Sequence, residues 1–374
     1  MAFAFKPLTE DLVPAVKRFN SRLAATGVSA EARLPEQPTS EWLPKLGNRR
    51  IYEEHFLLVE GDVVRGGYIF KHQDFSFHGE VRSIGALRWP ISEGAINKAY
   101  AWVGMQMYRN ALRVQPMLYS LGMGGYDAGP LPRMLEVMGW SMCSVPFYFK
   151  VNRPGRFLRE IQVLRNNATK RLIMDIAART GVGWLGLTVL QSARPGRAGV
   201  FPGLKAEEFR GFPTWADDLW NECKTRYVMT AVRDSETLNI LYPASKTRFL
   251  PCKVTRGGAL LGWAVLLDTA MRNHKQFGNM RVGSIVDCLA LPENASAVIG
   301  VATRMLEERG VDLIVSNQLH KSWCAALRQA GFLRGPSNSL FAASKELGRF
   351  VQPFHDKVRE IHMNRGDGDG PVRL

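Results

Sequence analysis

The chain has 374 residues, of which 46% are hydrophobic, so its length and composition favour two globular domains that each bury a core. Its five cysteines stand singly and form no Cys/His cluster, which argues against a disulfide framework or a metal site and favours a reducing cytoplasm. The net charge of +15 favours an anionic partner, and no apolar run is long enough to span a membrane.

The first half of the sequence predicts helices and strands in a definite order. An amphipathic helix over residues 8–25 comes first, and hairpin-like segments over 55–77 follow, with glycine-marked turns. The later predicted elements are a strand at 81–90, a helix at 95–113, a strand at 117–122, a helix that ends before Gly139-Trp140, and a strand at 145–151. Glycine directly after a helix provides a left-handed cap, and the next aromatic residue packs back onto the core.

The second half repeats this order, which indicates a diluted internal repeat. Its predicted elements are a helix at 205–224, a hairpin at 247–269, a strand at 282–292, a helix at 295–309, a strand at 311–317, a helix that ends before Gly331-Phe332, and a strand at 338–344. Each half therefore predicts a mixed α+β sheet flanked by helices, an α/β fold that is neither doubly wound nor all-β. The alternative is two unrelated α/β domains with similar element orders.

This element order resembles the GNAT acyltransferase fold. The segment "VDLIVSNQLHKSWCAALRQAGF", residues 311–332, looks like the strand, helix and Gly-Phe of the acyl-CoA side of that fold. The resemblance implies two tandem GNAT-like domains at 1–160 and 161–350, followed by a tail at 351–374. Tandem GNAT halves are also the architecture of the Fem aminoacyltransferases. The tail "IHMNRGDGDGP" resembles tails of GNAT-type proteins of bacterial exopolysaccharide clusters.

The resemblance implies acetyl-CoA or another acyl-CoA as co-substrate, held by a basic and glycine-containing loop after the fourth strand. Backbone N–H groups at such a loop and helix start favour the CoA pyrophosphate. The first half offers Arg88, Ser92 and Gly94 in "RWPISEGA" at altered spacing. The corresponding segment of the second half, "ALPENASA", has neither a glycine nor a basic residue. Both halves lack the tyrosine that usually protonates the CoA thiolate, so one or both copies are expected to depart from the family's chemistry.

Three polar residues of the second half are candidates for the site. Asp287 lies mid-strand among apolar residues, where a carboxylate can serve as general base, unless it faces solvent. His320 lies between a strand and a helix, where it is either catalytic or a surface residue at the helix start. Asn317 is a candidate for binding the pantetheine amide or for capping the helix.

Glycines of the first half add a second candidate loop. Gly124 and Gly125 in "GMGGYD" follow a strand, and glycines there allow a ligand to approach the backbone. A plain flexible turn is the alternative. The glycine-rich segment after Arg365 resembles part of a calcium loop but lacks its bidentate glutamate, so we expect a flexible tail that closes over a site.

Basic residues are concentrated in a connector at 151–200, which has nine Lys/Arg and two acids. This connector is either a solvated linker or a surface for CoA phosphates, an acidic polysaccharide, RNA or an anionic membrane face. No nucleic-acid motif is visible, so we predict only weak, non-specific RNA binding, with a Kd of order 10⁻⁴–10⁻⁶ M.

These observations together predict an acyltransferase that moves an acyl group from acyl-CoA to an amine or hydroxyl of a sugar or other cell-envelope precursor. Two alternatives stay open. One is a degenerate, non-catalytic GNAT pair that binds an anionic ligand or partner in polysaccharide assembly. The other is a Fem-like transferase with an aminoacyl-tRNA donor.

Overall fold

A computed structural model of the chain describes residues 3–28, 32–124, 129–162 and 203–372. These residues form two compact units. Unit 1 consists of Met1–Ser144 and Ser339–Lys357, and unit 2 consists of Val145–Asn338 and Val358–Leu374. Each unit has its own mixed β-sheet, so the structure has the predicted α/β class in both units.

Unit 1 contains a sheet of seven strands in the described part of the chain. The strands are β1 (Phe3–Pro7), β2 (Tyr52–Glu60), β3 (Val63–Phe77), β4 (Glu80–Ser92), β5 (Leu118–Met123), β6 (Ser141–Ser144) and β15 (Ser339–Ala343). Their order is β1-β2-β3-β4-β5-β15-β6. The helices of unit 1 are Val13–Ala25, Val103–Val114, Leu131–Val137, Lys345–Arg349 and Phe354–Lys357, with short 3₁₀ turns at Glu10–Leu12, Glu93–Ala95 and Lys98–Tyr100.

Two hydrophobic clusters hold unit 1 together. One joins the helix Val13–Ala25 to the sheet through apolar residues that recur at helical spacing, such as Val16, Phe19 and Leu23. The other packs Met107 and Tyr108 of the helix Val103–Val114 with side chains of several strands. The sheet therefore lies within a core that the helices supply by their amphipathic patterns.

Unit 2 has a second seven-stranded sheet and a short parallel pair within its described residues. The strands are β7 (Phe147–Val151), β8 (Leu204–Glu208), β9 (Met229–Ala231), β10 (Leu250–Arg256), β11 (Ala259–Ala270), β12 (Arg281–Ala290), β13 (Leu313–Asn317), β14 (Leu333–Gly335) and β16 (Ile361–His362). The sheet order is β14-β7-β13-β12-β11-β10-β8, and β16 pairs with β9 in parallel. The helices of unit 2 are Pro154–Glu160, Trp215–Cys223, Ser235–Leu241, Ala295–Glu308 and Lys321–Gln329, with 3₁₀ turns at Pro292–Asn294, Val358–Glu360 and Arg365–Asp367.

Among the helices of unit 2 that the structure describes, Ala295–Glu308 is the most buried, because both its faces carry small or apolar residues. It begins after Pro292, and the chain leaves it at Gly310, which has φ +73°. Gly262 of β11 lets this helix approach the sheet, since a Cβ there would lie 2.7 Å from a Val298 methyl and 2.6 Å from the Leu289 carbonyl oxygen. Close packing of helix on sheet therefore depends on a missing side chain.

The two halves of the sequence exchange strands. We predicted domains at 1–160 and 161–350, but β7 pairs with β13 and β14 of unit 2, and β15 pairs with β5 and β6 of unit 1. The last strand of each sequence half thus completes the sheet of the other unit. A strand's alternating pattern specifies a pleated surface but does not specify which sheet receives it.

The C-terminal segment differs from the expected flexible tail. Val358, Ile361 and Met363 are buried in unit 2, and the 3₁₀ turn at Arg365–Asp367 includes the buried Asp367. A capping box closes this turn, because Asn364 accepts a bond from Gly366 while Asp367 accepts one from the Asn364 backbone. Tertiary contacts therefore order a sequence whose glycine content predicts mobility.

Over the described ranges, no helix combines the length and the apolar character needed to cross a membrane.

Candidate functional site

Both units contain a parallel strand pair that opens after a few residues. In unit 1, β4 and β5 pair only where Gly85 lies opposite Leu118 and Ala86 lies opposite Tyr119. In unit 2, β12 and β13 pair at three positions, where residues 282, 283 and 284 lie opposite residues 313, 314 and 315. Beyond these positions the described residues form no further ladder between the two strands, and we call each opening a splay.

A serine hydroxyl bridges the start of each splay. Ser120 of β5 donates from Oγ to the Leu87 carbonyl oxygen at 3.1 Å, and Ser316 of β13 donates to the Ile285 carbonyl oxygen at 3.3 Å. Both serines are buried. The two units therefore repeat the same local device, one strand residue past the last ladder pair.

Each splay is accompanied by a β-bulge on the strand's other side. In unit 1, Trp89 and Pro90 together lie opposite Tyr68 of β3, and Trp89 has φ +54°. In unit 2, Val286 is the extra residue between Ile285 and Asp287. A bulge bends its strand and increases its twist, which accounts for the departure of β4 and β12 from their parallel neighbours.

The predicted cofactor residues of unit 1 lie along β4 and at the end of β5. Arg88 is buried and forms an ion pair with Glu53, and its guanidinium lies 5.1 Å from the Trp42 ring centre. Ser92 accepts a bond at Oγ from the Gly94 N–H, so it caps the 3₁₀ turn Glu93–Ala95. Arg88 and the Gly94 N–H therefore already have partners within unit 1.

The glycine loop after β5 is described only in part. Gly124 is exposed and has φ +78°, a backbone conformation that favours glycine. Gly125, the other predicted residue of this loop, lies outside the described residues, as does most of the basic connector 151–200.

Tyr108 extends the polar contacts of the unit 1 splay. Its hydroxyl lies 3.3 Å from Ser120 Oγ, which in turn reaches the Leu87 carbonyl. Complete burial raises the pKa of the Tyr108 phenol, so the group stays protonated at neutral pH. This chain of hydroxyls links the helix Val103–Val114 to both diverging strands, and its residues carried no recognisable motif in the sequence.

Asp287 is the centre of a buried polar network in unit 2. It is 1% exposed, so it does not face solvent. Its carboxylate accepts bonds from Arg233 Nε at 2.9 Å, Tyr242 Oη at 2.8 Å, Asn364 Nδ2 at 2.9 Å and the Cys288 backbone N–H at 2.8 Å. Four donors occupy the carboxylate and leave little room for a substrate.

Arg233 joins this network to a second carboxylate. Its Nη2 donates to both oxygens of Asp367, at 2.9 and 3.0 Å, and its Nη1 donates to the Ala231 carbonyl oxygen at 3.1 Å. Burial alone would lower the pKa of Arg233, but Asp287 and Asp367 outweigh burial and raise it above its usual value. Sequence reasoning missed Arg233, Tyr242 and Asp367, because they are far apart in the chain and form no spacing motif.

His320 occupies a helix N-terminus. It caps the helix Lys321–Gln329 by accepting a bond at Nδ1 from the Ser322 N–H at 3.2 Å. Burial and the nearby Lys321 together lower the pKa of His320 to about 4, so the imidazole is neutral at pH 7. His320 therefore caps and stabilises the N-terminus of this helix.

A second buried histidine lies next to His320. The ring of Tyr227 packs against His320 and against His362, with ring centres 4.9 and 4.7 Å apart. His362 Nδ1 lies 3.1 Å from Thr230 Oγ1, and burial holds its pKa well below the usual value. Thr230 also lies 3.4 Å from Arg233 Nη1, so the ring cluster adjoins the Asp287 network.

Asn317 lies at the end of β13 and has polar partners on both sides. Its Oδ1 accepts from Arg365 Nη1 at 3.1 Å, and its Nδ2 donates to Asn338 Oδ1 at 3.1 Å. The structure thus places Asp287, His320 and Asn317 in one unit, around the C-terminal segment. The other predicted site residues belong to unit 1.

Unit 2 also has a cavity of about 340 Å³ beside its edge strands. Arg210 and Lys246 border it, and Tyr242 and Phe249 form part of its wall. Because the Tyr242 hydroxyl binds Asp287, the wall of this cavity is connected to the buried network. Within the described ranges, no group of three or more His, Cys, Asp or Glu side chains could hold a metal ion.

Comparison with known protein families finds no match, and no curated protein is similar in sequence. Solved structures with similar folds do exist. A probable N-acyltransferase of Enterococcus faecalis has a TM-score of 0.51 at 11% identity, over 94% of this chain and 75% of that one. Saccharomyces cerevisiae N-myristoyltransferase with bound myristoyl-CoA has a TM-score of 0.53 at 10% identity, over 91% and 78%.

A GCN5-related N-acetyltransferase of Anabaena variabilis has a TM-score of 0.52 at 9% identity, over 91% of this chain and 72% of that one. At such low identities the comparisons establish the fold alone. Together with the repeated splay, they confirm the predicted architecture of two tandem GNAT-like domains. The similarities to Fem proteins and to exopolysaccharide proteins remain predictions.

Proposed function

We propose that the protein is an acyltransferase that moves an acyl group from acetyl-CoA or a longer acyl-CoA to an amine or hydroxyl. The acceptor we propose is a sugar or another cell-envelope precursor in a bacterial cytoplasm. The splay between β4 and β5 of unit 1 is the observation that supports this function best. The similar folds of proteins named as N-acyltransferases give independent support.

A splay suits an acyl-CoA because of the donor's shape and polarity. The pantetheine arm is narrow and extended, and its two amides need hydrogen-bond partners like those of a strand. Beyond Ala86, the described residues of β4 form no ladder on the side of β5, so an extended ligand can take the place of a neighbouring strand. Backbone N–H groups near the bulge at Trp89 are suitable donors for a thioester carbonyl oxygen.

The phosphates of the donor would lie beyond the end of β4. We propose that they approach the turn that Ser92 begins, and the glycine loop at Gly124 and Gly125. Arg88 contributes indirectly under this proposal, because its ion pair with Glu53 positions the middle of β4. Helix-start and loop N–H groups favour anions without needing a dedicated lysine.

The contacts of Asp287 and His320 restrict the catalytic role that the sequence suggested for them. Asp287 is occupied by four donors and His320 by a helix cap, so we propose that any effect of either residue on turnover is that of a positioning residue. A conservative replacement of either residue should then lower the free energy of unfolding and leave the pH dependence of kcat unchanged. A bell-shaped pH profile that loses one limb in Asp287→Asn would contradict this assignment.

Titration calorimetry with acetyl-CoA and with longer acyl-CoAs tests the proposed function. We expect saturable binding of at least one donor, near one molecule per chain, followed by acyl transfer when acceptor amines or sugars are added. Failure of every acyl-CoA to bind would overturn it. Filter binding of tRNA at low and moderate salt then separates the alternatives, because tight binding at moderate salt would favour an aminoacyl-tRNA donor.

A further inference from the structure

The splay of unit 2 is not open in the way that the splay of unit 1 is. The C-terminal segment 361–367 crosses it and contacts both diverging strands. On the β13 side, the Leu319 N–H donates to the Met363 carbonyl oxygen at 3.0 Å, and Gln318 and Asn364 form a β-bridge. On the β12 side, Asn364 Nδ2 donates to Asp287 at 2.9 Å.

The first part of the segment is held as a strand-forming peptide ligand would be held. Its first residues, Ile361 and His362, add a short parallel strand next to Met229 and Thr230 of β9. Main-chain pairing of this kind gives affinity, and side chains at fixed positions give specificity. The specific contacts here are those of Asn364 with Asp287 and of Asp367 with Arg233.

Charge complementarity is strong at the end of the segment. Arg233 is 1% exposed, and Asp367 is its bidentate partner. Without the segment, Arg233 would keep Asp287 as its ionic partner, but its buried Nη2 group requires an acceptor of its own. The carboxylate of the segment meets that requirement.

Size selection is equally clear at the neighbouring residue. A Cβ at Gly366 would lie 2.6 Å from the Tyr242 hydroxyl and 2.8 Å from Asp287 Cγ. Only glycine therefore lets the chain pass this close to the network. The position has an ordinary backbone conformation, so space and not φ is what demands glycine.

We propose that the splay of unit 2 is a peptide-binding cleft, and that its occupant is the chain's own segment 361–367. The cleft recognises a peptide that begins as a short strand and ends in a turn, with an asparagine, then a glycine two residues later and a carboxylate directly after it. While the segment is bound, acyl-CoA has access to the splay of unit 1 alone. This last consequence rests on the proposed function, whereas the peptide-binding cleft does not.

The test uses the full chain with Gly366→Val, which adds a side chain where none fits, and hydrogen exchange followed by mass spectrometry. Residues 317–320 and 361–367 should exchange faster than in the natural protein by roughly tenfold or more, while the hairpin of β10 and β11 keeps its protection. Gly155→Ala is the matched control in unit 2, because a Cβ there meets nothing within 4 Å. It should leave all these rates unchanged.

A synthetic peptide of residues 358–372 is then added to the Gly366→Val chain. Saturable return of protection at residues 317–320 is expected, and the same peptide carrying Gly366→Val or Asp367→Lys should restore none. Lack of rescue would overturn the proposal. So would loss of protection in the β10–β11 hairpin of both Gly366→Val and the milder Asn364→Ala, since the segment would then be part of the folding core.

Acyl-CoA provides a separate readout in the natural protein. Protection by acetyl-CoA or a longer acyl-CoA is expected at residues 87–92 and 118–123 of unit 1. Protection at residues 285–290 and 317–320 instead would overturn the closed cleft in unit 2. Absence of donor protection everywhere would count against the proposed function, and the peptide experiment would still decide the cleft.

Discussion

Replacement of Arg233 by methionine should destabilise unit 2 severely. The guanidinium is 1% exposed and donates to Asp287 and to both oxygens of Asp367, so its loss leaves two buried carboxylates without their cation. Removing one partner of a buried ion pair typically costs about 3–5 kcal/mol. Methionine keeps much of the volume of the side chain, so most of this cost is electrostatic.

Urea denaturation monitored by circular dichroism provides the measurement, with the free energy of unfolding taken from each curve. Arg226→Met is the matched control, because Arg226 pairs with Glu293 at the surface of the same unit, with side chains 48% and 53% exposed. An exposed pair should contribute no more than about 1 kcal/mol. Equal costs for the two substitutions would refute the argument that burial of the network sets its energy.

A triple variant isolates the charge effect. Arg233→Met combined with Asp287→Asn and Asp367→Asn removes all three charges, so it should recover part of the stability that Arg233→Met alone loses. The double-mutant cycle between Arg233 and Asp367 should give a coupling of at least about 1 kcal/mol. Additive effects would mean that the two side chains do not act as a pair.

Three further predictions concern single positions. His320 has a folded pKa near 4 and an unfolded value near 6.5, so stability is lost as pH falls through this window; lowering the pH from 7 to 5 should cost about 2 kcal/mol. His320→Asn keeps a capping residue, and its urea midpoint should depend less on pH; an unchanged dependence would contradict this. Gly262→Ala should lower the melting temperature by an amount worth about 1–3 kcal/mol through overpacking, whereas Gly104→Ala, with open space around it, should be neutral or stabilising. Ser120→Ala should weaken acyl-CoA binding roughly fivefold in calorimetry by loosening the strand spacing at the unit 1 splay, and Ser316→Ala should not; equal effects would count against the assignment of the donor to unit 1.

Much of the order of helices and strands was predictable because it depends on local patterns, but the helix predicted at 205–224 is wrong at its start, where Leu204–Glu208 forms β8 and the helix is confined to Trp215–Cys223. Apolar residues at helical spacing, glycine after helices and alternation in strands are all visible within short windows. The sequence also singled out Asp287 as a carboxylate among apolar neighbours, and the structure places it in the core. Such residues can be identified because a charge is rare where burial is expected.

The partners of these residues were not predictable, because they come from distant parts of the chain. Arg233 reaches Asp287 and Asp367 only through tertiary folding, and Glu53 of β2 reaches Arg88 of β4 across the strand between them. Register was uncertain as well. The strands predicted at 81–90 and 282–292, matched from their first residues, align Ser83 with Ser284. The ladders instead place Gly85 and Gly283 in corresponding positions beside β5 and β13. Short strand motifs carry too little information to exclude such shifts.

The strand exchange has a consequence for how the protein is made. Strands β5 and β6 of unit 1 have β15 between them, and β15 is translated only after roughly two hundred further residues. At synthesis rates of about 5–20 residues per second, both strands wait about 10–40 s with an unpaired edge. Unpaired edges recruit other chains, so crowded polysomes carrying this message should depend on chaperones that shield nascent β-structure. A ribosome that stalls before Ser339 would release a product in which unit 1 is unfinished, however long the chain already is.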